Sequence, residues 1–250
     1  MKTALSVDGI RIAVEVYIPE TGTAPFPSVI VCHGIPSGRP VQGGDPGYRP
    51  LARKFAEAGL LTVLFNFRGC GESGGNIDLG GWPRDLSAVL DLLEGREDVD
   101  AKKISLLGFS GGAAVSCITA ASRRVAAVAL AACPAEFTFL FPREGLTEMI
   151  ARAREIGAIR DREFPEDPWK WLEGFYGIRP EYYIEKINAP VLIIHGTADD
   201  VVPVSHAHLL YSLAAEPKEL VLLEGAGHRL RQETAAVEAA LNWLLQLNLL

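Results

Sequence analysis

The stretch Lys103-Ile104-Ser105-Leu106-Leu107-Gly108-Phe109-Ser110-Gly111-Gly112 decides the fold of this 250-residue chain. An apolar run leads into a Gly-x-Ser-x-Gly pattern, and a predicted helix follows it. A serine used as a nucleophile in this setting sits on a sharp, strained strand-to-helix turn, at a helix N-terminus that favours developing negative charge. Glycines flank such a serine because side chains there would collide with the neighbouring strand and helix. The alternative is a plain strand–helix connection, since short Gly- and Ser-rich turns are common.

Short apolar runs alternate with amphipathic segments on both sides of this stretch, which indicates strands buried on both faces of a mostly parallel sheet. The predicted strands are Thr3–Val7, Ile10–Tyr17, Ser28–Cys32, Leu61–Phe65, Ile104–Leu107, Val125–Ala131, Val191–Ile194 and Glu219–Leu223. The predicted helices between them are Tyr48–Ala58, Trp82–Glu94, Gly111–Ser122, Val204–Ala214 and Leu230–Leu247. The first two strands flank the hairpin turn Asp8-Gly9 and are predicted to be antiparallel edge strands. The pattern predicts an α/β fold with an eight-stranded sheet and helices on both faces.

One interval breaks the alternation. About 60 residues separate the sixth and seventh predicted strands, too many for one crossover. Ten of the chain's twenty aromatic residues fall within Phe137–Tyr183. We expect a helical insertion at about residues 137–186, with helices over Gly145–Asp161 and Pro168–Gly177, that packs over the sheet as a lid. Residues 1–250 would otherwise form a single domain.

Composition and charge exclude several broad classes of protein. An apolar fraction of 48% excludes general disorder, and a formal charge of −7 without a basic stripe argues against a nucleic-acid partner. No apolar run reaches the roughly 20 residues that span a bilayer. The N-terminal residues alternate as strands do and lack the apolar core of a signal peptide. Four scattered cysteines favour free thiols in a reducing compartment, so we expect a cytoplasmic protein.

Several blocks follow one another along the chain in a set order. His33-Gly34 comes after the first buried strand, and Asn66-Phe67-Arg68-Gly69-Cys70-Gly71-Glu72-Ser73 comes after the next. Gly108–Gly112 stands in the middle, and the loops Gly196–Pro203 and Gly225–His228 follow late strands. These blocks resemble the motifs of the α/β-hydrolase family, with asparagine where the family's Asp-x-Arg-Gly-x-Gly-x-Ser turn has aspartate. The resemblance covers nearly the whole chain and implies the α/β-hydrolase fold.

The resemblance implies a role for each residue of a candidate site. Ser110 would attack an acyl carbon, His228 would take and return its proton, and Asp199 would orient the imidazole. The backbone N–H groups of Ile35 and Gly111 would hold the oxyanion. The chain order Ser, Asp, His is that of this fold, and each residue follows the end of a predicted strand, where ligands bind in open α/β sheets.

Two of these assignments have rivals. Asp200 is the alternative acid, although the Gly-x-x-Asp-x-x-Val-Pro register favours Asp199. Among the five histidines, His33 belongs to the predicted oxyanion loop and His195 is interpreted as a packed residue at a strand end. His228 therefore remains as the candidate base.

Other polar residues are interpreted as structural. His206 and His208 form a His-x-His pair, but on a predicted helix they point in different directions. We interpret them as a solvated helix face and expect no metal site. Arg68 could clamp a substrate, but the resemblance favours a brace for the loop near the oxyanion hole.

The predicted activity is hydrolysis of a carboxylic ester, or a related acyl bond, through an acyl-enzyme intermediate. A serine at position 110 excludes the family's aspartate-dependent dehalogenases and epoxide hydrolases. The size, the compact lid and the Arg-Gly-x-Gly-x-Ser turn are similar to small bacterial carboxylesterases, including feruloyl and cinnamoyl esterases. The aromatic residues of the lid either receive an apolar or aromatic acyl group or form the core of the lid itself.

Three alternatives stay open. A thioesterase would use the same Ser, His and Asp. A serine aminopeptidase or amidase would need a carboxylate to receive a substrate amine, for which Glu136, Glu144 and Glu148 are candidates. A ligand-binding protein on a hydrolase scaffold is the third. In every case we expect a small-molecule partner, and for the enzymes no cofactor, because the triad and the oxyanion hole supply the chemistry.

Overall fold

One eight-stranded sheet organises the computed structural model, which describes residues 1–38 and 45–248. The strands are β1 (Lys2–Val7), β2 (Ile10–Tyr17), β3 (Phe26–Cys32), β4 (Leu61–Phe65), β5 (Val99–Phe109), β6 (Ala127–Ala131), β7 (Val191–Gly196) and β8 (Lys218–Leu223). Their order across the sheet is β1-β2-β4-β3-β5-β6-β7-β8. The pairs β1–β2 and β2–β4 are antiparallel, and all other pairs are parallel. The predicted α/β class and the mostly parallel eight-stranded sheet are confirmed.

Helices cover both faces of this sheet. They are α1 (Arg49–Glu57), α2 (Trp82–Glu94), α3 (Gly111–Ala120), α4 (Leu146–Glu155), α5 (Pro168–Tyr176), α6 (Ser205–Leu213) and α7 (Thr234–Asn248). Buried side chains of α1 and α7 share one apolar core, whereas those of α2, α3 and α6 belong to the other. None of these helices, over the part of the chain that the structure describes, is long and apolar enough to cross a membrane.

Strand β3 shows why the apolar runs are unbroken. Ile30 and Cys32 enter the core beneath α2 and α3, while Val29 and Val31 enter the core beneath α1 and α7. Successive side chains of a strand point to opposite faces, so a strand covered on both sides must be apolar at every position.

The N-terminal hairpin forms as predicted, but only one of its strands lies at an edge. Val7 pairs with Ile10, and Asp8 and Gly9 both adopt positive φ (52° and 77°), as a type I′ turn requires. β2 also pairs with β4, so the prediction that it is an edge strand is wrong. Its side chains are largely buried, as the interior position demands.

Several element boundaries differ from the prediction. β5 begins at Val99 and α7 begins at Thr234, after a short 3₁₀ turn at Leu230–Gln232. α4 ends at Glu155, well before residue 161, because Gly157 at φ +71° closes the helix. The N–H of Gly157 donates to Arg154 O, and the next N–H donates to Ala153 O, which together form a Schellman motif.

The chain between β6 and β7 contains α4, α5 and short 3₁₀ turns, and we call residues 137–186 the insertion. Its buried residues join the core on the α2 and α3 side of the sheet. Trp171 Nε1 donates to Ile77 O at 2.7 Å, and the Arg160 guanidinium donates to Ser73 O at 2.5 Å. These bonds tie the insertion to the loop that follows β4.

Candidate active site

Ser110 occupies the sharp turn between β5 and α3. Its backbone has φ 53° and ψ −122°, which a non-glycine residue rarely adopts and which costs about 1–3 kcal/mol. A Cβ added to Gly108 would lie 2.6 Å from the N atom of Ala113, and one added to Gly112 would lie 2.7 Å from the carbonyl carbon of Cys32. Glycine at both positions therefore leaves room for the neighbouring backbone at this turn.

The side chains of Ser110, His228 and Asp199 form a continuous hydrogen-bonded series. His228 Nδ1 lies 2.8 Å from Asp199 Oδ2, and His228 Nε2 lies 3.0 Å from Ser110 Oγ. Because a carboxylate only accepts, Nδ1–H donates to Asp199 and Nε2 is left to accept from the serine hydroxyl. The Asp199 side chain is fully buried, while that of His228 is 18% exposed.

The turn after β7 prepares Asp199 for this position. Its Oδ1 accepts the N–H groups of Val201 (2.9 Å) and Val202 (2.8 Å), which leaves Oδ2 directed at His228. Burial alone would raise the pKa of this carboxyl, but hydrogen bonds from His195, His228 and Val202 outweigh it and lower the pKa well below its usual range. Asp199 is therefore held ionised. The neighbouring Asp200 is exposed at the rim of the cavity.

The residues that carry the two backbone N–H groups expected from the sequence, Ile35 and Gly111, pack against each other. A Cβ added to Gly111 would lie 3.5 Å from the N atom of Ile35, and one added to Gly34 would lie 3.1 Å from Ser110 Cβ. Neither the Ile35 N–H nor the Gly111 N–H donates to another described residue. Both are positioned next to the serine as open donors.

His33 holds the peptide that carries one of these donors. Its Nε2 accepts the N–H of Phe67 at 3.1 Å, so the ring proton lies on Nδ1 and is donated to Gly34 O at 2.8 Å. In a trans peptide the C=O and N–H point in opposite directions. By binding Gly34 O, His33 therefore turns the N–H of Ile35 away from itself. Burial lowers the pKa of His33, which keeps the ring neutral and this arrangement intact.

Arg68 points away from the cavity. Its guanidinium is 4% exposed and donates to Asp85 Oδ1 at 2.7 Å and to Asp8 Oδ2 at 2.9 Å. The backbone N–H of Arg68 also donates to Asp85. Arg68 thus links α2, the first hairpin and the loop after β4, in agreement with the interpretation as a brace.

His206 does not lie on a solvated helix face, and that part of the interpretation is wrong. It is half-buried, its Nδ1 accepts the N–H of Ala135 at 3.1 Å, and its ring packs 4.5 Å from that of Phe139. The tertiary structure brings the insertion against α6, which the sequence does not indicate. His208 is exposed, as expected. No cluster of three or more metal-ligating side chains occurs within residues 1–38 and 45–248.

A cavity of about 1340 Å³ opens beside Ser110 and His228. The insertion contributes apolar side chains to its wall, among them Phe137, Leu140, Phe141, Met149, Ile156, Trp171 and Phe175. Several of these rings also contact each other: Phe141 and Trp171 lie 5.1 and 5.0 Å from Phe175. The aromatic residues of the insertion thus form both its internal core and a wall of the cavity.

The sheet, the strand-to-helix turn at Ser110 and the order of the loops are those of an α/β hydrolase, and comparison with known proteins agrees. The family model described as alpha/beta hydrolase fold matches residues 27–149. An uncharacterized protein of Mycobacterium tuberculosis is 34% identical over 224 residues, 88% of this chain and 69% of the relative. The uncharacterized protein YfhR of Escherichia coli is 27% identical over 227 residues, 88% of this chain and 70% of YfhR.

Among solved structures, Est1E from Butyrivibrio proteoclasticus with bound ferulic acid is similar, with a TM-score of 0.76 and 20% identity. The match covers 99% of this chain and 100% of Est1E, and a match at 20% identity shows that the two proteins share the fold. The family-model match and the 34% identical relative show that the chain belongs to the α/β-hydrolase fold family.

Proposed function

We propose that this protein is a serine hydrolase that cleaves carboxylic esters through an acyl-enzyme intermediate. The observation that carries the proposal is the series of hydrogen bonds from Asp199 through His228 to Ser110. His228 Nε2 takes the hydroxyl proton as Ser110 Oγ attacks the acyl carbon, and it then protonates the leaving alcohol. A water molecule, deprotonated by the same nitrogen, then attacks the acyl carbon. The bond from this carbon to Ser110 Oγ breaks, His228 Nε2 returns the proton to Oγ, and the acid is released.

Asp199 and the backbone donors support this reaction electrostatically. The carboxylate of Asp199 keeps the imidazole in the required tautomer and stabilises its charged form. The N–H groups of Ile35 and Gly111 stabilise the oxyanion, each contributing about 3–4 kcal/mol to transition-state binding. Because these groups are oriented before substrate arrives, little reorganisation is needed during the reaction.

The cavity supports an ester with a sizeable apolar acyl group. Its wall from the insertion is formed by aromatic and aliphatic side chains, and its volume of about 1340 Å³ exceeds what a short acyl chain needs. We propose that the insertion acts as a lid over this site. Ferulic acid bound to the similar fold of Est1E adds hydroxycinnamoyl esters to the substrates worth testing.

A panel of p-nitrophenyl esters from acetate to decanoate, together with a feruloyl ester, tests the proposal. Ser110→Ala is the control, and Gly145→Ala is a matched small change away from the site, since an added Cβ there meets no atom closer than 3.9 Å. We expect turnover that disappears in Ser110→Ala and is retained in Gly145→Ala. No ester turnover above the Ser110→Ala background would refute the esterase proposal.

One observation bears on the alternative that the protein is an amidase or aminopeptidase. Of the three carboxylates considered for binding a substrate amine, Glu148 is at the cavity wall, whereas Glu136 and Glu144 are not among its lining residues. If aminoacyl anilides are cleaved faster than esters, and Glu148→Gln reverses that preference, the protein is an aminopeptidase. A thioesterase would favour acyl thioesters in the same panel, and a ligand-binding protein would leave Ser110 unlabelled by a fluorophosphonate.

A further inference from the structure

A second histidine contacts the same carboxylate as His228. His195 is the penultimate residue of β7, and its side chain is fully buried. Its Nε2 lies 2.9 Å from Val202 O and 3.4 Å from Asp199 Oδ2. A carbonyl oxygen and a carboxylate can only accept, so Nε2 of His195 carries a proton.

We propose that His195 is a positioning residue for the Asp199–His228 pair. Its Nε2–H binds the carbonyl of Val202 and lies against Asp199 Oδ2, so that it sets the shape of the 199–202 turn and the direction of the carboxylate. This inference rests on the proposed function, because it assigns His195 a part in the reaction of Ser110.

The contacts around the turn explain why this residue matters. Val202 is held on both sides: its N–H donates to Asp199 Oδ1 at 2.8 Å, and its C=O accepts from His195. Without His195, the buried carbonyl oxygen of Val202 would lose this donor. Asp199 Oδ2 would also lose its contact with His195 and keep the contact with His228. Buried polar groups that lose a partner shift to find another, which would turn the carboxylate away from His228.

Within the described part of the chain, the surroundings of His195 offer an acceptor for a proton on Nε2 and none for a proton on Nδ1. Its Nδ1 is buried and has no hydrogen-bond partner within the described part of the chain, so a proton there would be an unsatisfied buried donor. The other titratable groups that act on this region are His228 and, from α6, His206, which in turn faces Glu136 and Glu181. His195 therefore serves as a fixed donor and takes no part in proton transfer.

A matched pair of variants tests the donor directly. Glutamine and methionine have side chains of similar length, but only glutamine offers an N–H near the position of Nε2. We expect His195→Met to lower kcat about 10- to 100-fold with KM changed less than about twofold, the loss typical of a missing partner that orients a site histidine or carboxylate. His195→Gln should restore most of this loss.

The pH profile separates positioning from a general packing defect. With the carboxylate turned away in His195→Met, its charge stabilises the protonated form of His228 less. The acidic limb of kcat/KM should therefore move to lower pH in His195→Met and stay in place in His195→Gln. Equal profiles and equal rates for the two variants, both folded by near-ultraviolet circular dichroism, would overturn the proposal.

A measurement on the unmodified protein remains decisive if His195→Met does not fold. Nitrogen-15 spectra of the labelled histidines should show the ring proton of His195 on Nε2, and finding it on Nδ1 instead would overturn the proposal. This result requires no substrate. If no ester is cleaved but His195 shows the expected tautomer, the proposed function has failed while the contact to Val202 stands.

Discussion

A Cβ atom on Gly111 would lie 2.7 Å from Cγ1 of Ile35, so the two residues that carry the proposed oxyanion donors pack directly against each other. A side chain at position 111 would collide with Ile35, so glycine is needed there for Ile35 to pack this close to residue 111. Gly111→Ala should therefore push Ile35 outward and lower kcat by up to about 100-fold, as for the loss of one oxyanion donor. The measurement is kcat on the best ester of the panel.

The double variant Gly111→Ala, Ile35→Ala checks the physical cause. Ile35→Ala removes the colliding Cγ1 atom, so adding Gly111→Ala in that background should cost far less activity than it does alone. Strictly additive losses in this double-mutant cycle would contradict the packing explanation.

Asp199 and Asp200 differ in their contacts although they are neighbours in sequence. Asp199→Asn should lower kcat by about 10⁴-fold, because an amide at this position favours the wrong tautomer of His228. Asp200→Asn should stay close to the unmodified enzyme, since this side chain is exposed. The opposite order of effects in steady-state assays would show that the acid has been assigned to the wrong residue.

Asp199 should not limit activity until the pH is strongly acidic. The pKa of Asp199 is lowered, so its carboxylate contributes stability that is present above the usual carboxyl range and is lost only as pH falls through its lower native value. A plot of log kcat/KM against pH should have an acidic limb of slope about one, because Asp199 stays ionised across it. A slope near two above pH 4 would mean that Asp199 titrates in that range.

Arg68 and Asp85 form a buried ion pair whose disruption should destabilise the fold. The side chains are 4% and 0% exposed, so removing the Asp85 charge leaves the buried guanidinium paired with the more exposed carboxylates of Asp8 and Asp78. Asp85→Asn should therefore cost about 3 kcal/mol of unfolding free energy by denaturant titration, the lower end of the range for breaking a buried ion pair. Glu155→Gln is the matched control, because it breaks the exposed pair with Arg152 and should change stability by less than about 0.5 kcal/mol.

The four cysteines should be unreactive in the folded protein. All are free and buried, and burial raises the pKa of Cys32 and Cys70 to about 12. Thiolates are therefore scarce at neutral pH, and a thiol reagent has little access. Titration with an aromatic disulfide at pH 8 should detect no thiol before denaturant is added and four thiols afterwards. Rapid modification of Cys70, which lies at the cavity wall, would show that the cavity opens more widely.

Much of the fold was predictable because its causes are local. Strands buried on both faces require unbroken apolar runs, and the turn around Ser110 requires glycine at 108, where a Cβ would meet the backbone of Ala113. The early end of α4 was also open to prediction, since Gly157 carries the positive φ of a helix terminus. The interior place of β2 was not, because pairing with β4 depends on how the whole sheet assembles.

The candidate site also has features that the sequence predicts and features that depend on the folded structure. The resemblance of the chain's motifs to those of the α/β-hydrolase family indicated Ser110, Asp199 and His228 and the order in which their loops follow the strands. That Ser110 and His228, 118 residues apart, meet at 3.0 Å is a property of the folded sheet. The contact of His195 with Asp199 likewise depends on the direction of two side chains in one turn. Residue types and local conformation follow from neighbouring residues in the chain, whereas the bonds that orient them depend on which distant elements pack together.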